Sequence, residues 1–451
     1  MSEHVERIRL QLASGPASAR QLLENIGKTG RISQPTLSRA LASMGDEVLK
    51  LGAARSIHYA LRDGRRGLPS VPIYRVDAQS QLRHLGLLVP VYPDGFVMQQ
   101  ADGLSLHHHS LPWWLLDMRP QGFLGRAYAS RHAQALGLPA QLTDWTDAHA
   151  LRALTAHGHD AVGNLLLGDV ARERFLATPA PEALAAEQKS AAYTLLAQEA
   201  ASGEQPGSSA GGEQPKFSAF VQTPAGPCHV LVKFSLPEAN PITQRWRDLL
   251  LAEHHALETL RSAGVTAARS WVLDHAGQRF LEVERFDRVG ALGRCGVVSL
   301  ASVEAEFVGD ASAPWPSLAA RLAQGGQITP EAAQGAQLLY AFGKLIGNTD
   351  MHNGNLSFLN EHGRPYALAP AYDMLPMGFA PSASGGLRNR LATPQLAASV
   401  ANAVWAQALS LAAEFLARVR ADERFSEAFQ PCVLSLAQHL ALAGGQVERL
   451  G

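Results

Sequence analysis

The order of hydrophobic patterns predicts an α+β chain built from a small helical head closed by a hairpin, a mixed α/β segment, and a larger body in which strands precede helices. Three observations carry this reading. The chain has 451 residues, enough for about three units of roughly 150 residues each. Its first 66 residues place helix-period segments before two short strand-like runs. Beyond residue 216, strands joined by a tight turn give way to long helical stretches. Hydrophobic residues make up 46% and charged residues 18%, below the roughly 25% charge of average domains, so a large core is available and disorder over most of the length is excluded.

The head comes first. Glu3 to Ala13 has helical spacing, Ser18 can cap a second helix running to Gly27, and Ser33 or Gln34 opens a third through Met44, with Pro35 in its first turn. The apolar runs Val48–Leu51 and Ile57–Leu61 flank Gly52–Ser56 and read as a hairpin. Three helices and a hairpin predict a winged helix-turn-helix over residues 1–66. Charge supports it. The chain totals 39 basic and 40 acidic residues, net -1, but residues 1–66 hold eleven basic against six acidic, a net of +5, leaving -6 on the rest. A basic head on an acidic body is the electrostatic footprint of DNA binding. Arg31, Thr36, Ser38 and Arg39 around the third helix, and Arg55 at the wing tip, are the candidate contacts.

Arg65, Arg66, Gly67, Pro69 and Pro72 read as a linker into a mixed segment over 70–200. There Leu87–Tyr92 reads as a strand, placed at a sheet edge by Pro90, and Pro93-Asp94-Gly95 turns it into Phe96–Met98. His107-His108-His109 lacks the spacing of a metal site and reads as a polar loop. The three cysteines, Cys228, Cys295 and Cys432, form no C-x-x-C pair, which predicts a reducing compartment. A charged start and the lack of any run of about 18 apolar residues predict a cytoplasmic protein without a membrane span.

The chemistry lies in a strand-rich part over 201–290 and a mainly helical part over 291–451. Phosphoryl transfer needs a backbone loop over phosphates, a lysine on them, a carboxylate near the acceptor and oxygen ligands for magnesium. Gly211-Gly212-Glu213-Gln214-Pro215-Lys216 supplies a loop whose N–H groups can approach an anion. Phe217–Thr223 and Cys228–Ser235 read as strands around a Pro-Ala-Gly-Pro turn, and Lys233 falls among apolar neighbours, where a lysine is costly unless an anion meets it. Glu253, in the helical stretch Trp246 to Ala263, can pair with it. Only six residues are lysine, and two of them fall in these positions. Glu284 to Phe286 follow a strand, where a hinge would meet adenine. In Thr349-Asp350-Met351-His352-Asn353-Gly354-Asn355, Asp350 can face an acceptor hydroxyl while Asn355 reaches a metal; Asp373, in Tyr372-Asp373-Met374, offers a second metal ligand.

Together these motifs, with Glu-Arg-Phe-Asp-Arg at 284–288 and His157-Gly158-His159-Asp160-Ala161-Val162-Gly163, resemble the HipA family of bacterial serine/threonine kinases, toxins of toxin-antitoxin systems, from about residue 70 to the end. The fused winged helix resembles the YjjJ-type branch. The resemblance implies a kinase-like two-lobed fold and the cofactors ATP and Mg²⁺. It implies Asp350 as catalytic base, Asn355 and Asp373 as magnesium ligands, and Lys233 on the ATP phosphates under the loop of Gly211, Gly212, Glu213, Gln214 and Lys216. Glu253, Glu284, Phe286 and His352 complete the nucleotide site. It also implies autophosphorylation just before the loop, at Ser209 or the adjacent Ser208, a dianion that would be repelled from ATP phosphates. A protein substrate in the translation machinery and an antitoxin are the implied partners, beside DNA on residues 1–66. Two other readings remain open: a DNA-binding regulator whose kinase-like body only binds nucleotide, and a small-molecule phosphotransferase, because D-x-H-x-x-N also resembles aminoglycoside and choline kinases.

Overall fold

The computed structural model describes residues 2–27, 32–52, 57–202, 214–382 and 384–450. The chain begins with α1 (Ser2–Leu12), β1 (Ala17–Ser18), α2 (Ala19–Gly27) and α3 (Gln34–Ser43), followed by β2 (Val48–Leu51) and β3 (His58–Leu61). Ile8 and Leu12, Leu22 and Ile26, and Leu37 and Leu41, each spaced four apart, bury one stripe of each helix in a common core. Ser18 and Gln21 bond each other reciprocally at the start of α2. The Ser33 hydroxyl caps α3 by accepting from the Thr36 N–H. The strands form an antiparallel sheet in the order β1-β3-β2.

The stretch expected to be a linker is instead bound to the body. Arg62 bridges Val91, and Leu49, Leu51 and Ala60 of the head pack on Val89, Val91 and Val97. Arg66 donates to the Val91 and Gly95 carbonyls at 3.0 and 2.8 Å and pairs with buried Asp63 at 2.5 Å. Pro72 lies inside a strand. The physical reason is that both sheets present an apolar face, which neither can leave in water.

The mixed segment contains β4 (Val71–Val76), β5 (Leu82–Val91), β6 (Gly95–Gln100), β7 (Ser105–His108), α4 (Gly122–His132), α5 (Asp147–His157), β8 (Leu165–Leu167) and α6 (Gly168–Ala177). The sheet order is β7-β6-β5-β4-β8. β5 is therefore interior, contrary to the edge position expected from Pro90. Pro90 is tolerated because β4 stops pairing at Leu88, so no β4 carbonyl waits for the missing N–H. His107 and His108 form part of β7, paired with Val97 and Phe96, rather than a loop.

Next come α7 (Lys189–Ser202), β9 (Lys216–Thr223), β10 (Gly226–Phe234), α8 (Pro241–Ser262), β11 (Ser270–His275) and β12 (Gln278–Glu284). Their sheet runs β11-β12-β10-β9. Alternation sorts its residues: Phe217, Val232 and Glu282 share a rung and one face, while Lys216 and Lys233 share the next rung and the other. On the first face Lys189 and Tyr193 of α7 both reach the buried Glu282 carboxylate, at 2.7 and 2.6 Å.

A short ribbon of β13 (Arg288–Val289) and β14 (Gly293–Arg294) leads to β15 (Val297–Ser299), α9 (Leu300–Phe307), α10 (Trp315–Gln324), α11 (Pro330–Leu345), β16 (Ser357–Leu359), β17 (Ala367–Leu368), α12 (Asn402–Ala421) and α13 (Gln430–Leu450). One large apolar core joins α8 to these helices. Between this core and the four-stranded sheet lies the cleft.

Candidate active site

The cleft has a volume of about 360 Å³. Leu231 and Val283 of the sheet, with Val297, Phe286 and Tyr372, give it apolar walls; Lys216, Lys233, Glu253, Asp373, Asn355 and His352 give it a polar end. Lys216 and Lys233 are buried and directly opposite on β9 and β10. Like charges at such a pair repel, and the counter-charges come from elsewhere. Glu253 of α8 takes Lys233 Nζ with both oxygens at 2.7 Å, and Asp373 makes a second ion pair with the same ammonium.

The electrostatics follow. Burial would lower the Lys233 ammonium, but Asp373 and Glu253 hold it above the ordinary lysine value. Burial likewise opposes ionisation of Asp373, yet Lys233 and then Lys216 keep its carboxyl below the usual range. Glu253 is pushed up by burial against the pull of Lys233. Glu253 and Asp373 therefore stand against Lys233 and Lys216, two carboxylates against two ammonium groups, and of the two carboxylates Asp373 is the one kept ionised.

The loop after α11 presents the remaining groups. Asp350 is exposed and is not among the residues that line the cleft, to which its backbone is tied through Asn355. Its backbone is fixed from both sides: its N–H donates to Asn348 Oδ1 at 3.0 Å and its carbonyl accepts from Asn355 Nδ2 at 2.8 Å. Because a carbonyl can only accept, the Asn355 amide is oriented, and its Oδ1 is left without a protein donor among the described residues. Asp373 has φ 54°, a left-handed conformation that Asp tolerates better than most residues, and Asn348 Nδ2 holds its carbonyl at 3.2 Å. His352 Nδ1 accepts from the Gly354 N–H at 3.1 Å. Tyr372 donates to the Gly354 carbonyl at 2.7 Å.

Asn355 Oδ1 and the Asp373 carboxylate are hard oxygen donors of the kind Mg²⁺ takes. Among the described residues no group of three or more His, Cys, Asp or Glu could hold a metal. Two protein oxygens completed by phosphates and water suit magnesium rather than an all-protein cage.

Of the residues singled out from sequence, Lys216, Lys233, Glu253, Glu284, Phe286, His352, Asn355 and Asp373 line this one cleft. The Glu284 carboxylate is not free, since Arg269 Nε binds it at 2.6 Å. Gln214 is described but is not on the cleft wall. Ser208, Ser209, Gly211, Gly212, Glu213, Arg31 and Arg55 lie outside the described residues. On α3, Ser38 and Arg39 are exposed, whereas the Thr36 hydroxyl is engaged with Ser33 at 2.8 Å.

Sequence reasoning missed three features. Asn348 is one, visible only as an asparagine two residues before Asp350. A second is Asp117, which lines the cleft and accepts from the Ser299 N–H and hydroxyl at 2.7 and 2.6 Å. Third, the 157–163 and 284–288 motifs meet: Asp287 binds Arg285, Arg288 and the Gly163 N–H, and Arg288 also binds Asp160 at 2.8 Å.

The HipA-like C-terminal domain family matches residues 208–439, just over half of the chain. Toxin YjjJ of Escherichia coli (strain K12) is 39% identical over 443 residues, 98% of each chain. The chain belongs to the HipA-type toxin family. The middle domain of YjjJ-like toxins matches residues 68–176, which places the chain beside that relative. Among solved structures, the chain is similar to the Helicobacter pylori proinflammatory kinase CtkA, with 14% identity, 52% of this chain and 92% of that one covered, and a TM-score of 0.37. It is also similar to the Shewanella oneidensis MR-1 HipA, HipB and operator DNA complex, with 16% identity, 84% and 97% covered, and a TM-score of 0.49. No helix among the described residues is long and apolar enough to cross a membrane.

Proposed function

We propose that this protein is an ATP- and Mg²⁺-dependent protein kinase acting on serine or threonine. The observation that carries the reading is the Lys233 ammonium held between Glu253 and Asp373 in the same cleft as Asn355. In this reading Lys216 and Lys233 bind the phosphates of ATP, and the apolar walls formed by Leu231, Val283 and Phe286 take the adenine. Asn355 and Asp373 hold Mg²⁺, which when bound neutralises charge on the phosphate oxygens. Asp350, exposed and tied to the cleft through Asn355, orients the acceptor hydroxyl and takes its proton as the phosphoryl group is transferred in line. Ser208 and Ser209 precede the glycine loop and are the proposed sites of autophosphorylation.

The test is transfer of labelled phosphate from ATP by the full chain and by Asp350→Asn. Loss of a general base costs on the order of 10²- to 10⁴-fold. Equal transfer by the variant would sink the assignment, and nucleotide binding without transfer by the unaltered chain would favour a non-catalytic regulator. Mapping the label separates Ser208 from Ser209.

The head supports a second activity in the same chain, DNA binding. Its +5 charge and the exposed Ser38 and Arg39 on α3 favour it. Affinity for duplex DNA should fall with added salt, and Arg39→Ala should lower both affinity and the salt slope; salt-independent binding speaks against it. Membership in a toxin family makes an antitoxin a proposed partner.

A further inference from the structure

Helix α8 turns Glu253 toward Lys233, and its opposite face is tied down by Asp248 and His255. These two are seven residues apart, so at about 100° per residue they lie within roughly 20° of each other and about 200° around the helix from Glu253. Both reach the same short segment between α12 and α13. Ser426 donates to buried Asp248 through its N–H at 2.9 Å and its hydroxyl at 2.5 Å. His255 Nε2 meets Asp422 Oδ2 at 2.8 Å. Arg424 binds the Asp422 carboxylate through Nε at 2.9 Å and Nη2 at 2.6 Å and keeps it ionised. Asp422 can then only accept, and the proton of that bond belongs to His255. The Phe425 ring stacks on His255 at 5.8 Å between centroids and lies in the large core.

The two anchors bracket Glu253. At ~1.5 Å per residue they stand about 10 Å apart along the axis, one on either side of it. On the front of the helix, Glu253 takes Lys233 with both oxygens at 2.7 Å. Leu249, Leu250, Leu251 and Leu257 bury α8 in the core, but burial is non-directional and does not set the rotation of a helix about its axis. Directed bonds on opposite faces do. Asp248 has no ion pair among the described residues, and burial pushes its carboxyl up against the two donations from Ser426. A buried carboxylate met by neutral donors is costly, and what it returns is geometry.

We infer that Asp248, His255, Asp422 and Ser426 form a clasp that positions Glu253 against Lys233. They touch no reacting atom and are positioning residues. The inference rests on the phosphotransfer reading above and adds which part of the chain holds the lysine and glutamate in register. Loss of either anchor lets the helix turn, Glu253 parts from Lys233, and the ammonium proposed to bind phosphate loses one of its two carboxylates.

The full-length chain is titrated with a fluorescent ATP analogue and assayed for transfer of labelled phosphate. Ser426→Ala keeps the N–H donor and loses the hydroxyl, and His255→Phe keeps a ring against Phe425. Each should weaken nucleotide binding by about 3- to 10-fold, since small displacements of positioned groups carry effects of this size or larger. Ser426→Thr retains the hydroxyl and should bind as the unaltered chain does. The deciding measurement is Ser426→Ala in a Glu253→Ala background, where Asp373 still pairs with Lys233. A clasp that acts through Glu253 adds no more than about twofold there. The same loss in both backgrounds, or a lowered urea midpoint with nucleotide binding unchanged, reduces the four residues to packing and overturns the clasp. Binding that follows the expected pattern in a chain that transfers no phosphate to any acceptor overturns the phosphotransfer reading and leaves the clasp.

Discussion

The side-chain amide of Asn348 donates to the Asp373 carbonyl at 3.2 Å. Its other end accepts the Asp350 N–H at 3.0 Å, so one buried asparagine sets the spacing between the proposed base and a proposed metal ligand. Asn348→Ala leaves both backbone groups without their partner, at a cost of about 1–3 kcal/mol for each one that stays buried. Transfer should fall by about 10- to 100-fold, since small displacements of positioned groups cost that much. Because Asn348 touches no substrate, the pH profile of kcat should keep its shape while its height drops; steady-state kinetics across pH checks this.

Lys233→Met removes the cation shared by Glu253 and Asp373. Breaking a buried pair while leaving its partner charged costs about 3–5 kcal/mol, so the urea midpoint should fall markedly. Lys233→Met combined with Glu253→Gln should recover part of that loss, because one uncompensated carboxylate is gone. Both variants should lose nucleotide binding, read by titration with a fluorescent ATP analogue. An unaltered midpoint in Lys233→Met would show that the ion pairs contribute no net stability.

These two sites differ in how far the sequence disclosed them. Asp350 and Asn355 sit on one continuous loop, and the cost of burying Lys233 in a strand is a local signal, so both were legible. Asn348 acts on Asp373, 25 residues on, and nothing in its own neighbourhood marks that. The Gly163 and Asp287 contact spans 124 residues; both motifs are visible in the sequence, but their meeting depends on the packing of the mixed segment against the residues that follow β12. Strand β11 is defined by its pairing with β12 rather than by its own pattern, and Pro90 fits an interior strand because a proline is forbidden only where a neighbour needs its N–H. The fold class was readable from pattern, and the pairings that position the site were set by tertiary packing.

Acid should expose the Asp160 and Asp287 network. Desolvation opposes ionisation of both, of buried Asp287 more plainly than of half-exposed Asp160, but Arg285 and Arg288 overcome it, holding Asp287 well below the carboxylate range and Asp160 at about 2. Both start from 3.8 when unperturbed, so their stabilisation is present above that value and is lost as pH falls toward 2. Asp287→Asn should be less stable than the unaltered chain at pH 7, and the gap should narrow below pH ~4. Denaturant melts at pH 7, 5, 4 and 3 measure it; a gap that stays constant would remove the network from acid sensitivity.

The docked head yields the last prediction. A flexible linker at Arg65 and Arg66 would be cut readily by trypsin, but here Arg66 spans from Asp63 to the Val91 and Gly95 carbonyls, and only 17% of its side chain is exposed. Protease needs an extended strand that can leave the surface, so cleavage after Arg66 should be slow in the native chain. Val91→Asp puts a charge between the two sheets, where Leu49, Leu51 and Ala60 now pack against Val89 and Val97. The variant should release the head and raise cleavage at this site by tenfold or more, while the core that joins α8 to α13 stays resistant. Fast and equal cleavage of both proteins would mean that the two sheets separate freely in solution, and that the head moves independently of the cleft.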